Sequence, residues 1–185
     1  MNPNMLSLVS LIFAILAGVL YVLKGSYWLL LAAIMVLVSG FFDALDGKVA
    51  RISSKASKRG DFVDHVIDRY SDAIILGAIA VSFRCEVSFG LFAVIGVLLA
   101  SYMGTQAQAL GLGREYRGIL GRADRIAVLV VISIIQYFFE LGDSSLATDI
   151  FNFDYSLMSW MMVYFGLAGN ITALQRARVI WKSLP

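Results

Sequence analysis

The sequence predicts an all-α integral membrane protein, built as a bundle of six transmembrane helices with both termini in the cytoplasm. Composition is the first observation: 59% of the 185 residues are hydrophobic, 15% are charged, and the mean hydropathy is +0.80. Globular chains in water carry about 25% charged residues, so this chain cannot cover its surface with polar side chains. The other two observations are long apolar runs and an uneven distribution of lysine and arginine.

Six apolar runs mark the candidate spans. They cover residues 6–23, 27–42, 73–83, 87–103, 126–139 and 155–174. About 20 residues are needed to cross roughly 30 Å of hydrocarbon, so polar residues that face a protein interior must complete the two shorter runs. Helices are expected because lipid offers no water to the backbone, and the runs show no strand alternation. Residues 1–4 carry no basic segment, so we expect the first run to be a retained span rather than a signal peptide.

The basic residues predict the orientation. Thirteen of the fifteen lysines and arginines fall on one side of the six spans, and only Lys24 and Arg84 fall on the other. Because cytoplasmic loops carry the excess of basic residues, these loops are assigned to the cytoplasm and the chain to the plasma membrane. The net charge of +2 gives no indication of nucleic-acid binding, and the single cysteine, Cys85, excludes a zinc site built from cysteines.

Carboxylates and small residues cluster between the second and third runs. If the second helix continues to residue 51, one of its faces carries Asp43, Asp46, Gly47, Ala50 and Arg51. One face of the third helix carries Gly60, Asp64 and Asp68. Two facing helices would then present four carboxylates to one another.

Such a cluster needs compensating cations, because buried carboxylates lose solvation and repel one another. Mg²⁺ suits this task, since it binds one or two carboxylates together with substrate phosphates. Gly47, Ala50 and Gly60 lack bulk and would let a nucleotide approach the backbone. Arg51 could pair with a phosphate. The alternative is that these residues are ordinary solvated charges of a loop. Loop charges would not need to share one helix face, and carboxylates at a membrane boundary are typical of functional sites.

The motif Asp43-x2-Asp46-Gly47-x2-Ala50-Arg51-x8-Gly60-x3-Asp64-x3-Asp68 resembles the signature of the CDP-alcohol phosphotransferases. All eight fixed residues match over 26 positions. The six-span pattern with a short N-terminal segment is also similar to that family. The resemblance therefore implies a single CDP-alcohol phosphotransferase domain over residues 1–185 and an enzyme that moves a phosphoalcohol from CDP.

The resemblance also implies roles for individual residues. Two divalent ions, Mg²⁺ or Mn²⁺, would be ligated by Asp43, Asp46, Asp64 and Asp68. Asp68 would in addition be the catalytic general base toward the attacking hydroxyl. Contacts to CDP would come from Asn4, Asp46, Gly47, Ala50, Arg51, Ser57 and Gly60. Members of the family are usually homodimers, so a homodimer within membrane lipid is expected.

The acceptor is indicated by the basic loop before the fifth span. It carries Arg114, Arg117, Arg122 and Arg125. Arg122 and Arg125 are three residues apart and would both face one phosphate on a helix, although the orientation rule alone also places arginines here. Residues 68–72 and 101–125 resemble the corresponding regions of phosphatidylinositol-phosphate and archaetidylinositol-phosphate synthases. This resemblance implies a CDP-lipid donor, inositol phosphate as acceptor, its phosphate bound by these arginines, and release of CMP.

The alternative functions are either the same reaction with other substrates or a different class of protein. Glycerol 3-phosphate is another phosphorylated acceptor, and CDP-inositol is another donor for inositol phosphate. Phosphatidylserine synthases are less similar, because residues 74–77 lack their polar stretch after the last aspartate. A cation transporter would line a path with the same aspartates, and a structural membrane protein would use them for helix contacts. Metal-dependent release of CMP from a CDP-lipid would distinguish the enzyme from both.

Overall fold

The computed structural model describes residues 3–52, 57–113, 115–142 and 155–184, without the side chains of residues 50–52. In these ranges the chain forms six helices. They are α1 (Pro3–Val22), α2 (Ser26–Ile52), α3 (Lys58–Val81), α4 (Val87–Ala109), α5 (Arg122–Leu141) and α6 (Leu157–Ser183). Each predicted apolar run overlaps one helix, so the all-α prediction is confirmed for the described residues.

Four of these helices are long and apolar enough to cross a membrane: α1, α2, α4 and α6. α3 and α5 fall short of this criterion, because charged residues continue along α3 as far as Asp72 and lie near both ends of α5. The chain is therefore a multi-pass membrane protein, whereas the prediction of six spans and of cytoplasmic termini stays a prediction. The outward face of the bundle agrees with a lipid environment, since Leu8, Leu37, Leu91 and Leu167 are exposed on the four apolar helices.

Small residues let the helices approach closely. A Cβ added to Gly169 of α6 would lie 2.6 Å from the carbonyl carbon of Gly96 in α4. A Cβ on Gly90 of α4 would lie 2.2 Å from the Cβ of Ala80 in α3. Membrane helices associate through such close packing, because lipid tails are as apolar as the side chains they would replace.

Hydroxyl groups add ties between helices in the apolar interior. The Ser39 hydroxyl of α2 donates to the Ser10 carbonyl oxygen of α1 at 2.9 Å. The Tyr21 and Ser133 hydroxyls, on α1 and α5, are hydrogen-bonded at 2.8 Å. All four residues are buried, and each hydroxyl has a partner that lipid could not supply.

The two ends of the bundle hold different polar clusters. At one end the buried Arg84, after α3, donates to both carboxylate oxygens of Glu140 on α5, at 2.6 and 2.9 Å. It also donates to the carbonyl oxygens of Leu23 and Gly25, between α1 and α2, at 3.2 and 3.0 Å. Because α1, α3 and α5 all end near Arg84, they all begin at the opposite end. The C-terminal end of α2 and the aspartates also lie at this opposite end.

Candidate active site

The four aspartates meet where α2 ends and α3 begins. Asp43 and Asp46 lie on the part of α2 that extends beyond its apolar run, which confirms the predicted continuation of this helix. One carboxylate oxygen from each of Asp43, Asp46 and Asp64 lies within 4.8 Å of the other two. Asp46 and Asp68 are 4% and 5% exposed. The structure thus brings together carboxylates of two helices that the spacing placed on facing surfaces.

This set of donor atoms fits a hard divalent cation. Mg²⁺ and Mn²⁺ prefer oxygen ligands, and carboxylate oxygens at this separation can share an ion with phosphate oxygens. A second group of donor atoms within 4.8 Å of one another comes from Asp64, His65 and Asp68. His65 was not predicted as a site residue, and its ring also lies 3.6 Å from Asp61. Asp64 belongs to both groups and links them.

Arg122, the first residue of α5, contacts the aspartates from the side. Its Nη1 donates to Asp43 Oδ1 at 2.8 Å and also to Asp68 Oδ1, so it joins α5 to α2 and α3. Arg122 precedes the apolar run of α5. Burial lowers the pKa of this guanidinium, but the carboxylates of Asp68, Asp43 and Asp72 raise its pKa by more. The charged Arg122 therefore offsets part of the repulsion among the aspartates.

Charges of alternating sign continue along α3 from Asp68. Arg69 Nη2 lies 3.6 Å from Asp68 Oδ2 and 3.4 Å from Asp72 Oδ2. Arg125 Nη2 donates to the same oxygen of Asp72 at 2.7 Å. The buried Arg125 is therefore paired with α3, and Asp72 extends the acidic row beyond the predicted motif.

A cavity of about 240 Å³ lies beside these ion pairs, between α3, α4, α5, α6 and the loop before α5. Its charged lining comes from Asp68, Arg69, Glu115, Arg122, Arg125 and Arg176. Four guanidinium groups against two carboxylates favour a small anion. Sites for drug-sized ligands occupy roughly 300–1,000 Å³, so this cavity suits a small polar molecule rather than a lipid.

Three of the predicted CDP contacts lie together at the start of α3. The Ser57 hydroxyl caps this helix by accepting from the Gly60 N–H at 3.1 Å. A Cβ on Gly60 would lie 3.4 Å from Ser57 Oγ and 3.6 Å from Oδ1 of Asn4. The start of α1 therefore reaches the start of α3, beside the aspartates.

The remaining predicted CDP contacts lie on α2. Asp46 and Gly47 are adjacent on the described part of this helix. The side chains of Ala50 and Arg51 lie outside the described residues. No contact to a nucleotide is tested by the structure, so the CDP-binding set stays a prediction.

The predicted acceptor arginines are separated by the structure. Arg122 and Arg125 both line the cavity, in agreement with the prediction that they share one face of a helix. The Arg117 side chain is 78% exposed, lies 3.8 Å from Glu115, and does not line the cavity. Arg114 lies outside the described residues. Binding of an acceptor phosphate by any of the four stays a prediction.

Besides His65 and Asp72, three further residues at the site were not predicted from the sequence. Ser7 of α1 donates to Asp46 Oδ2 at 2.5 Å, and Arg69 and Arg176 line the cavity. Arg69 directly follows the last motif aspartate, which is a signal that could have been used. Ser7 and Arg176 carry no local signal, because their importance depends on which helices become neighbours.

Residues 1–172 match the family described as CDP-alcohol phosphatidyltransferase. The chain belongs to this family. It is accordingly a transferase, and the matched residues include the whole aspartate motif. Arg176 of the cavity lies beyond the matched range.

Several similar proteins are archaetidylinositol phosphate or phosphatidylinositol phosphate synthases, the branch of the family that the sequence resemblance predicted. Archaetidylinositol phosphate synthase of Pyrococcus horikoshii is 37% identical over 137 residues, which cover 73% of this chain and 70% of that protein. Phosphatidylinositol phosphate synthase of Cutibacterium acnes is 28% identical over 188 residues, which cover 95% of this chain and 83% of that protein.

The fold is that of a solved member of the branch. Mycobacterium tuberculosis phosphatidylinositol phosphate synthase with CDP-DAG bound has a TM-score of 0.74 at 21% identity, over 98% of this chain and 87% of that one. The same enzyme in complex with manganese and citrate also gives 0.74, at 22% identity. At this identity the likeness shows the fold.

Proposed function

We propose that this transferase moves a diradylglycerol-phosphate group from a CDP-lipid to inositol phosphate and releases CMP. The observation that carries the proposal is that Asp68 and Arg122 belong both to the aspartate cluster and to the wall of the arginine-lined cavity. A phosphorylated alcohol in this cavity would hold its hydroxyl beside a nucleotide bound at the aspartates. The names of the relatives support inositol phosphate as the acceptor.

On the donor side, the aspartates would hold the nucleotide through divalent ions. Asp43, Asp46 and Asp64 would ligate Mg²⁺ or Mn²⁺, and Asp68 would complete a site for two ions. When bound, these cations supply positive charge at the pyrophosphate oxygens and so stabilise the departing CMP. The nucleotide would contact Asn4, Gly47, Ala50, Arg51, Ser57 and Gly60.

On the acceptor side, Asp68 would remove the proton of the attacking hydroxyl. The new O–P bond forms as the P–O bond to CMP breaks, and CMP leaves with the electron pair. In the structure Asp68 is engaged by Arg122 and lies 3.6 Å from Arg69. A phosphate dianion in the cavity would compete for both guanidinium groups, which leaves Asp68 able to accept the proton.

The proposal places the site at the cytoplasmic boundary of the plasma membrane, in a homodimer. Lipid tails would stay in hydrocarbon, while CMP and the polar acceptor exchange with water. Cys85, the only cysteine, lies at the end opposite the aspartates. A membrane-impermeant thiol reagent should therefore label Cys85 from outside intact cells, and labelling only after permeabilisation would reverse the orientation.

The function is tested by CMP release from purified protein supplied with a CDP-lipid and Mg²⁺. The acceptor panel is inositol phosphate, free inositol, glycerol 3-phosphate and serine, each with ester-linked and ether-linked donors. We expect release with inositol phosphate, loss of release on chelation of the metal, and recovery with Mg²⁺ or Mn²⁺.

Release with glycerol 3-phosphate instead would keep the reaction and replace the acceptor. The arginines of the cavity would attract either molecule, because both carry a phosphate monoester. If protein that still binds metal releases no CMP from any CDP-lipid, the proposal that the donor is a lipid would be wrong. CDP-inositol would then be the donor to test with inositol phosphate.

A further inference from the structure

The loop that closes the cavity is hydrogen-bonded to α6 through Thr172. Thr172 is fully buried, and its Oγ1 accepts from the backbone N–H groups of Ile119 and Leu120 at 3.2 and 3.3 Å. A helical threonine can donate its proton to its own helix and still accept hydrogen bonds from outside. Two backbone donors of the loop therefore depend on one hydroxyl of another helix.

Arg176, one turn after Thr172, holds the preceding part of the same loop. Its guanidinium donates to the carbonyl oxygens of Arg117 at 2.8 Å and Tyr116 at 3.2 Å. It also donates to the carbonyl oxygen of Ala100, on α4, at 2.6 Å. Arg176 thus joins the loop to α4 and α6, although it also faces the cavity.

Gly118 shows how closely the loop backbone lies on Thr172. Its φ is +145°, a conformation that side chains with a Cβ rarely adopt. A Cβ at this position would lie 2.2 Å from Cγ2 of Thr172. The loop therefore needs glycine here, and its path over α6 is specific.

The same contact leads directly to Arg122. Leu120 is buried, and the next residue, Gly121, directly precedes α5 and donates its N–H to Asp124 Oδ2 at 3.0 Å. α5 then starts with Arg122, which contacts Asp43 and Asp68. Only Gly121 separates Leu120, whose N–H is bound by Thr172, from Arg122, whose guanidinium lies between the aspartates and the cavity.

We propose that Thr172 is a positioning residue for the acceptor. By holding Ile119 and Leu120, its hydroxyl sets where α5 begins and so places Arg122 at the cavity wall. The inference rests on the proposed function, because that function assigns the cavity to a phosphorylated acceptor. Thr172 touches neither substrate and acts through the loop.

The test compares Thr172→Val with Thr172→Ser in the full-length protein. Valine keeps the shape but removes the acceptor oxygen, whereas serine keeps the oxygen. We expect Thr172→Val to raise KM for inositol phosphate on the order of tenfold, as for hydrogen bonds lost in a buried site, while KM for the CDP-lipid stays as in the wild type. Thr172→Ser should match the wild type. Gly118→Ala disturbs the same contact from the loop side and should raise the same KM.

Amide hydrogen exchange of residues 115–121 gives a readout that needs no activity. Exchange should be faster in Thr172→Val than in the wild type, and restored in Thr172→Ser. Faster exchange with an unchanged acceptor KM would overturn the positioning role, as would a valine variant with wild-type exchange. If the wild type itself fails to use inositol phosphate, the proposed function fails. In that case, unchanged exchange in Thr172→Val would still show, without any activity measurement, that the Thr172 hydroxyl does not hold the loop.

Discussion

A buried ionic cluster lies at each end of the bundle, and the two differ in their balance of charge. At one end Arg84, 4% exposed, faces one carboxylate, Glu140, and directs its other donors to backbone carbonyls. At the other end, the described residues supply five carboxylates and three guanidinium groups in contact with them. The carboxylates are Asp43, Asp46, Asp64, Asp68 and Asp72, and the cations are Arg69, Arg122 and Arg125.

This difference separates a structural cluster from a functional one. A buried pair with matched partners holds helix ends together, and removal of one partner leaves the other charge buried without compensation. An excess of carboxylates works against folding, because each anion loses solvation and repels the others. Such an excess is typical of a site prepared for a cation and a substrate. Substitutions at the two ends should therefore affect different properties.

Asp68→Asn should have the largest effect on turnover. The amide keeps the shape of the side chain but cannot accept a proton, so kcat should fall about 10²- to 10⁴-fold, the usual contribution of a general base. CMP release at saturating substrates measures kcat, and CDP-lipid binding should remain. Turnover like that of the wild type would remove Asp68 from the role of base.

Arg84→Met should have the largest effect on stability. Loss of the guanidinium leaves the Glu140 carboxylate without a cation and with only the hydrogen bond from Gln136, and breaking a buried pair costs about 3–5 kcal/mol. Thermal unfolding in detergent should show the change, while acceptor preference of the folded fraction stays the same. The double variant Arg84→Met/Glu140→Leu should recover part of the stability, because no charge is left unpaired. A single variant as stable as the wild type would contradict the structural reading of this end.

Arg122→Gln should act on the acceptor. Hydrogen bonds to charged groups contribute about 1.5–3 kcal/mol, so KM for inositol phosphate should rise roughly tenfold to hundredfold. The exposed Arg178 on α6 gives the matched control, Arg178→Gln, which removes the same charge away from the cavity. Arg117→Gln tests the one described arginine that the sequence placed at the acceptor and the structure places outside the cavity. A KM increase in Arg117→Gln equal to that in Arg122→Gln would favour the sequence prediction.

The parts of the molecule that the sequence predicted well depend on helix periodicity. The continuation of α2 past Phe42 and the shared faces of Asp43 with Asp46 and of Asp64 with Asp68 follow from i, i+3 and i, i+4 spacing. Such spacing holds wherever the helix is placed. The approach of the carboxylates of α2 and α3 was inferred from the same spacing, and the structure brings Asp43 and Asp46 of α2 to Asp64 of α3.

The parts that the sequence did not predict depend on pairings between distant segments. Ser7 and Asp46 are 39 residues apart, and Thr172 lies 53 residues from Ile119. Arg117 and Arg122 were both predicted as phosphate ligands. The sequence could not distinguish them, because a loop has no periodicity that shows which side chain points toward the cavity. The hydrogen bonds from α6 decide the path of that loop, and they become visible only once α6 packs beside it.

Gly60→Ala should have the smallest of these effects and tests the nucleotide side of the aspartate end. A Cβ at Gly60 would meet Ser57 Oγ and Asn4 Oδ1 at ordinary contact distances, so the fold accommodates alanine. Alanine is also a better helix former than glycine, by about 1 kcal/mol, so stability should not fall. The added methyl group would, however, stand where the nucleotide approaches α3. KM for the CDP-lipid should therefore rise several-fold with KM for the acceptor unchanged. Gly77→Ala, on the same helix with nothing within 4 Å of the added Cβ, is the matched control. If both variants bind the CDP-lipid as the wild type does, the nucleotide does not lie against Gly60.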